Sequence, residues 1–99
     1  MLMLDRIRER DVKAATNWIN VRYPNRVEGS VRLVEVLEEE RYFEKEIKLE
    51  MAFKVAIGDY IEKGVRMRVV RPYTMVFYMD KQGKVARFDR PIIGAEELL

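Results

Sequence analysis

The chain of 99 residues contains neither cysteine nor histidine. The lack of cysteine excludes disulfides, thiolate nucleophiles, zinc knuckles and iron–sulfur clusters, and it leaves the redox compartment open. The lack of histidine removes the usual general base and the commonest ligand of transition metals. We therefore expect a protein that is not an enzyme and that has no catalytic residue, no metal site and no cofactor.

Long apolar runs and glycine-rich loops are also missing. No apolar run approaches the ~20 residues of a membrane-spanning helix. The segment Met1 to Leu4 is too short and wrongly flanked for a secretory signal. The glycines stand apart from one another, so no loop is built to cradle a phosphate. We expect a cytoplasmic protein with no membrane partner.

Charged residues are abundant but nearly balanced in sign. They make up 36% of the chain and leave a net charge of only +2, so a nucleic-acid partner would need a local basic patch. Uncharged polar residues are few, with three Asn, one Gln, one Ser and two Thr. This balance is typical of thermophilic proteins. Together with a hydrophobic content of 48%, it predicts a single thermostable domain over residues 1–99.

The strongest structural pattern is the alternation from Phe43 to Ile57. Seven of its eight alternate residues are apolar, Lys45 being the exception, and the residues between them are mostly charged. Because strand side chains point to alternate faces, the pattern predicts a long, half-buried strand. At ~3.3 Å per residue it would run about 50 Å, longer than a compact domain of this size. The strand should therefore bend at a bulge near Lys45, or its Phe43 end should project towards a partner.

Apolar residues recur every three or four positions from Leu4 to Tyr23. This spacing predicts an amphipathic helix, which Pro24 and Asn25 end, with Trp18 as a core anchor. Asp11 interrupts the apolar stripe. It leaves open that the regular helix begins there, with Asp11 as its N-cap and residues 1–10 flexible.

The rest of the chain predicts further strands. Valines favour a strand over residues 31–40, although a helical turn is the alternative. The sequence predicts α+β architecture: an N-terminal amphipathic helix packed on one face of a four- or five-stranded antiparallel meander, with residues 91–99 as a C-terminal tail. Chain reversals are expected at Gly58–Asp59 with residues 62–64, at Arg71-Pro72-Tyr73, and at residues 80–83, where Asp80 and Gly83 favour a hairpin with a glycine bulge.

Strand register assigns the side chains of this meander to two faces. The helix should cover the face that carries Ile47 to Ile57 and also Val65, Met67, Val69, Met75, Phe77, Met79 and Val85. The opposite face should carry Arg66, Arg68, Val70, Val76, Tyr78, Lys84, Ala86 and Phe88, near Ala52, Lys54 and Ala56. Such a face is too apolar to be simply solvated, so it should meet something else.

Three functions fit this opposite face. The first is a non-enzymatic binding or accessory module, a homodimer whose face is covered by residues 91–99 or by a second copy of the chain. The candidate interface residues are Phe43, Ala52, Ala56, Val70, Val76, Ile92, Ile93, Leu98 and Leu99.

The second function is binding of single-stranded nucleic acid, with aromatic rings that stack on bases and cations that meet phosphates. The third is a small-ligand pocket between the helix and a curved sheet. For the nucleic-acid function the candidate residues are Arg66, Arg68, Arg71, Tyr73, Tyr78, Lys84 and Phe88.

Overall fold

A computed structural model describes residues 2–41 and 44–99, with side chains over residues 9–38 and 46–99. The described residues form one helix followed by an antiparallel sheet in which the strand order follows the chain from the first strand to the fourth. The helix packs on one face of this sheet, so the predicted α+β architecture is confirmed. The elements are α1 (Leu2–Arg22), β1 (Arg32–Arg41), β2 (Glu44–Glu62), β3 (Val65–Met79), β4 (Val85–Phe88), β5 (Ile92–Ile93) and β6 (Glu97–Leu98).

Helix α1 buries Ala15 and Ile19 completely against the sheet, with Trp18 partly buried beside them. It begins well before Asp11, so the prediction that the helix starts at that residue was wrong. The interruption of the apolar stripe marks a buried carboxylate within the helix and not its first turn. The helix ends as predicted, at Arg22, just before the proline.

Strand β2 confirms the alternation, because Leu49, Met51, Phe53 and Val55 are all buried under the helix. Strand β1 pairs with β2. Residues 32–41 therefore form a strand, as predicted over residues 31–40, and not the alternative helical turn. The reversal expected at Gly58–Asp59 with residues 62–64 is shorter than predicted: β2 continues through Gly58 and Asp59 to Glu62, and the chain turns at Lys63 and Gly64.

The predicted bulge lies at a different place. Pairing is regular where Lys45 faces Glu40, whereas the register of β2 shifts between Ala56 and Gly58. Strand β1 has its own register shift between Leu33 and Glu35. Phe43, the other expected end of the strand, lies outside the described residues.

Strand β3 runs straight through Pro72, so the turn predicted at Arg71-Pro72-Tyr73 does not exist. The carbonyl of Pro72 accepts a hydrogen bond from the amide of Gly94 at 2.8 Å. In an antiparallel ladder the N–H and C=O of one residue face the same neighbour. The donor that proline lacks would therefore point to the C-terminal segment, and the ladder with β2 stays intact.

Two turns give the meander its shape. Between β2 and β3, Lys63 and Gly64 have φ values of 51° and 78°, which makes a tight hairpin turn. Between β3 and β4, the amide of Gly83 donates to the carbonyl of Asp80 at 3.1 Å, and the Asp80 carboxylate accepts from the amides of Gln82 and Lys84. The second turn was predicted from its Asp and Gly.

The C-terminal segment lies in the plane of the sheet. Strands β5 and β6 both pair with β3 on the edge that β2 leaves free. Beyond β6, Leu99 and Arg68 exchange two backbone hydrogen bonds, at 2.8 and 3.2 Å. The prediction that residues 91–99 fold over the opposite face was therefore wrong, because unpaired backbone along β3 is satisfied by in-plane pairing.

The core ends before the sheet does. Its buried side chains on β2 stop at Val55, and the sheet continues as the hairpin formed by residues 57–69. Val65, Met67 and Val69 lie on the predicted face by register, but they are not part of the core under the helix, and Val65 is 54% exposed. The molecule is accordingly long, with extents of 59 × 24 × 21 Å.

Candidate functional site: the second face and the hairpin end

The second face of the sheet is the face turned away from α1. Alternation along β3 places Arg66, Arg68, Val70, Val76 and Tyr78 on it, as predicted. The partner strand contributes Ala52 and Ala56, both half-buried, to the same face. Val70 is fully buried and Tyr78 is 9% exposed, so side chains of the face itself must shield them.

Tyr78 is shielded by a charged cluster. The guanidinium of Arg87 lies 3.8 Å from its ring centroid, and the ammonium of Lys48 lies 5.2 Å away. The hydroxyl donates to the Asp89 carboxylate at 2.8 Å, and this bond, followed by burial, raises the pKa of Tyr78. Arg87 in turn binds Glu46 at 2.9 Å. The Tyr78 ring is thus already stacked on the Arg87 guanidinium, which is itself paired with Glu46.

Cross-strand ion pairs shield the rest of the second face. Lys54 on β2 binds Glu97 on β6 at 3.0 Å, across the intervening strand β3. Arg66 lies 4.0 Å from Asp59 on the neighbouring strand. Arg68 has no ion pair among the side chains that the structure describes. The face is therefore covered largely by its own charged side chains, each of which keeps contact with water.

Two predicted second-face residues lie on the other side of the sheet. The register between β3 and β4 shifts between Tyr78 and Met79, and a slip of one residue moves later side chains to the opposite face. Phe88 consequently packs on Trp18, with ring centroids 4.6 Å apart. Lys84 lines a groove beside the helix.

Arg71 and Tyr73 also lie apart from Arg66 and Arg68. With no turn at Pro72, both side chains fall on the helix face. The Tyr73 ring packs on Phe53 at 5.4 Å, and Arg71 binds Glu96 at 3.2 Å. Of the predicted nucleic-acid residues, Arg66, Arg68 and Tyr78 share one face, but Tyr78 lies ten residues beyond Arg68 on β3, about 33 Å away at ~3.3 Å per residue.

The predicted interface residues divide between two places. Ala52, Ala56, Val70 and Val76 lie on the second face, within the charged layer described above. The C-terminal residues lie along the sheet edge with large exposed fractions: Ile92 75%, Ile93 47%, Leu98 53% and Leu99 54%.

A strip of apolar side chains continues the helix face beyond the helix, and we call it the end strip. Register puts all its members on one side of the hairpin. Tyr60 and Val65 are 44% and 54% exposed, and Leu98 adds a third exposed side chain from β6. The members are Tyr60, Val65, Met67, Val69 and Leu98.

Sequence reasoning missed Tyr60 because it treated Gly58–Asp59 and residues 62–64 as one broad reversal, with Tyr60 inside it. The second half of that segment alone forms the turn. Lys63-Gly64 is followed by apolar residues at positions 65, 67 and 69, which would have set the hairpin at its true tip.

Asp11 is a buried titratable group of the fold. Its side chain is 1% exposed, and neither carboxylate oxygen has a hydrogen-bond donor among the described residues. The Nε atom of Arg10 lies 3.5 Å from Oδ1. Burial raises the pKa of Asp11 above its ordinary value of 3.8, an effect that Arg10 opposes and Asp80 reinforces.

Comparison of the chain with protein-family models, with curated proteins and with solved structures found no match. Over the described part of the chain, no helix is long and apolar enough to cross a membrane. Among the side chains of residues 9–38 and 46–99, no three acidic groups are placed so as to hold a metal ion. The proposals below therefore rest on geometry.

Proposed function

We propose that the protein is a non-catalytic interaction module that forms a homodimer through its end strip. The observation that carries this proposal is the uncovered apolar surface on the hairpin, where Tyr60, Val65 and Leu98 are each about half exposed. The lack of His and Cys supports a non-enzymatic role, and the balance of many charged and few uncharged polar residues supports a thermophilic source. We propose a cytoplasmic location, since the sequence has no apolar run of membrane-spanning length.

A covering partner is expected because the hairpin is thin. Beyond Ile57 the sheet consists of β2 and β3, flanked only by the short β6 and Leu99. Narrow sheets of this kind need an apolar face packed against something in order to be stable in water. The helix does not reach this region, since the core cluster on β2 stops at Val55.

A second copy is the partner that fits best. The members of the end strip are all uncharged. Register places Glu62 on the same face opposite Val65, but at the hairpin tip, where its carboxylate stays in water at the edge of an interface. Glu62 and Lys63 at the tip, with Arg71 and Glu96 at the other end of the strip, give edges of mixed sign, and a twofold axis would bring opposite charges together. Two such sheets would pack about 10 Å apart.

Sedimentation at micromolar concentration tests this proposal. We expect the wild type to sediment at twice its chain mass of 11.8 kDa. Val65→Glu should yield monomers, because the new carboxylate would be buried in the interface without a partner. Ile92→Glu is the matched control, since Ile92 is a more exposed apolar residue at 75% but lies outside the strip.

The outcomes separate clearly. A wild type that stays monomeric at the highest soluble concentration would overturn the dimer. Dimers that survive Val65→Glu but not Ile92→Glu would move the interface to the sheet edge. Circular dichroism of both variants, matched to the wild type, shows that each is folded.

Binding of single-stranded nucleic acid is the alternative function, and Arg68 is the observation in its favour. It is an exposed cation on the second face without a carboxylate among the described side chains. Two other cations of this face are already paired: Arg66, two residues away, with Asp59, and Arg87, at the far end of β3, with Glu46. Affinity for a short oligonucleotide should fall with added salt and be lost in Arg68→Glu, and no binding at low salt would eliminate this function.

A further inference from the structure

An open groove lies between the last turns of α1 and strand β4. Its volume is about 350 Å³, at the small end of the range of roughly 300–1,000 Å³ for small-molecule pockets. Trp18, Val21 and Val85 give it an apolar floor and walls. Asn17, Arg22 and Lys84 supply its polar groups.

The charge of this groove has one sign. Arg22 and Lys84 line it, and none of the lining residues is acidic. Neither cation has an ion pair among the side chains that the structure describes, whereas Lys54 and Arg87 on the second face each bind a glutamate. The groove therefore offers an apolar surface and two available positive charges at the same place.

Its central residue is held in a fixed position. The Trp18 ring contacts Phe77 edge-on at 5.2 Å and Phe88 at 4.6 Å. The Arg22 guanidinium lies over the same ring at 5.0 Å. The part of Trp18 that lines the groove is therefore preformed, and little ordering would be needed on binding.

We propose that this groove binds a small organic acid, with the apolar body against Trp18 and Val85 and the carboxylate between Arg22 and Lys84. Cations beside an apolar floor favour an anionic amphiphile over a neutral one, because the carboxylate gains charge-assisted hydrogen bonds. The volume is enough for a medium-length acyl or single-ring body. This site is independent of the proposed homodimer.

The probe is decanoate, and the readout is intrinsic fluorescence, because Trp18 is the one tryptophan in the sequence. We expect a saturable change in its emission with a dissociation constant below about 1 mM. Decanol, which has the same chain without the charge, should bind at least about fivefold more weakly. Added salt should weaken decanoate and leave decanol unchanged.

Charge variants localise the carboxylate. Lys84→Gln and Arg22→Gln should each weaken decanoate by about fivefold or more, with decanol unaffected. Lys13→Gln is the control, since it removes one exposed cation from the same helix outside the groove. Circular dichroism confirms that the three variants are folded.

Three results would overturn the proposal. The first is no saturable change in emission up to about ten times the expected dissociation constant. The second is equal affinity for decanol and decanoate, which would make the groove a simple apolar surface. The third is tighter binding of an acidic, apolar peptide than of decanoate, which would assign the groove to a protein partner. A blocked Glu-Glu-Leu-Leu peptide, the sequence of residues 96–99, serves as that probe.

Discussion

Asp11 shows how a single residue can limit the stability of this fold. A carboxylate with no hydrogen-bond donor in a buried position is disfavoured in its charged form. The nearby Arg10 compensates only in part, at 3.5 Å and with a half-exposed side chain. Ionised Asp11 therefore destabilises the folded state, and the size of the penalty must depend on pH.

We predict that Asp11→Asn raises the free energy of unfolding at neutral pH. Because the folded-state pKa of Asp11 is raised above 3.8, its favourable contribution is complete below that value and is lost as the pH rises through the folded-state pKa. The advantage of the variant should therefore vanish at about pH 3. Urea unfolding at both pH values measures it, with the exposed Asp59→Asn as control. A constant difference across this pH range would contradict the argument.

Lys63 carries backbone strain at the hairpin tip. Its φ of 51° lies in the left-handed region, which Asn and Gly adopt far more readily than Lys. We predict that Lys63→Asn stabilises the protein by about 0.5–1 kcal/mol in denaturant unfolding. Lys63→Ala removes the same charge without relieving the backbone, so it should give no gain. A gain in both variants would point to charge instead.

At the scale of the element, β3 shows why one proline was misread. In a sequence, proline normally indicates a turn or an edge strand. The sequence does not reveal which neighbouring strand the missing N–H would face. Along β3, the N–H and C=O groups of successive residues face the C-terminal segment and β2 in turn. A proline at position 72 therefore removes no hydrogen bond to β2, whereas a proline at position 71 would remove one.

We predict that Pro72→Val changes the free energy of unfolding by less than about 1 kcal/mol, while Arg71→Pro costs about 3 kcal/mol or more. The first variant adds a donor towards the Gly94 segment, and the second deletes one from the ladder with Val55. Arg71→Ala is the control for loss of the Glu96 ion pair, worth at most about 1 kcal/mol at an exposed site. Equal losses at positions 71 and 72 would contradict the assigned direction.

At the scale of the whole molecule, local patterns predicted elements better than they predicted faces. The alternation around Leu49 to Val55 and the Asp80–Gly83 turn are decided within a few residues, so the sequence reveals them. The register shifts at Ile57 and after Tyr78 depend on how neighbouring strands twist and pair, and they move every later side chain. This is why Phe88, which follows the second shift, was assigned to the wrong side; Lys84 precedes that shift and lies at the end of the Asp80 turn.

The hairpin of residues 57–69 should open before the rest of the sheet. It lies beyond the core, and opening it exposes little buried apolar surface. We predict that amides of residues 58–62 and 65–69 exchange with solvent faster than those of residues 47–55 in dilute solution. Exchange in the hairpin should slow as protein concentration rises, since a second copy would cover it. Uniform protection along β2 at all concentrations would contradict this.

The unbroken course of β3 also fixes a spacing. Val69 is the β3 member of the end strip nearest the helix, and Met79 pairs with Val85, which lines the groove; between them the strand advances ten residues, or about 33 Å at ~3.3 Å each. Two copies joined at their end strips would hold their grooves some 70 Å apart, at opposite tips of one rod. Both grooves could then bind a scaffold that carries organic acids at regular intervals. The affinity would rise above that of a single groove only if the interval matched the distance between the two grooves.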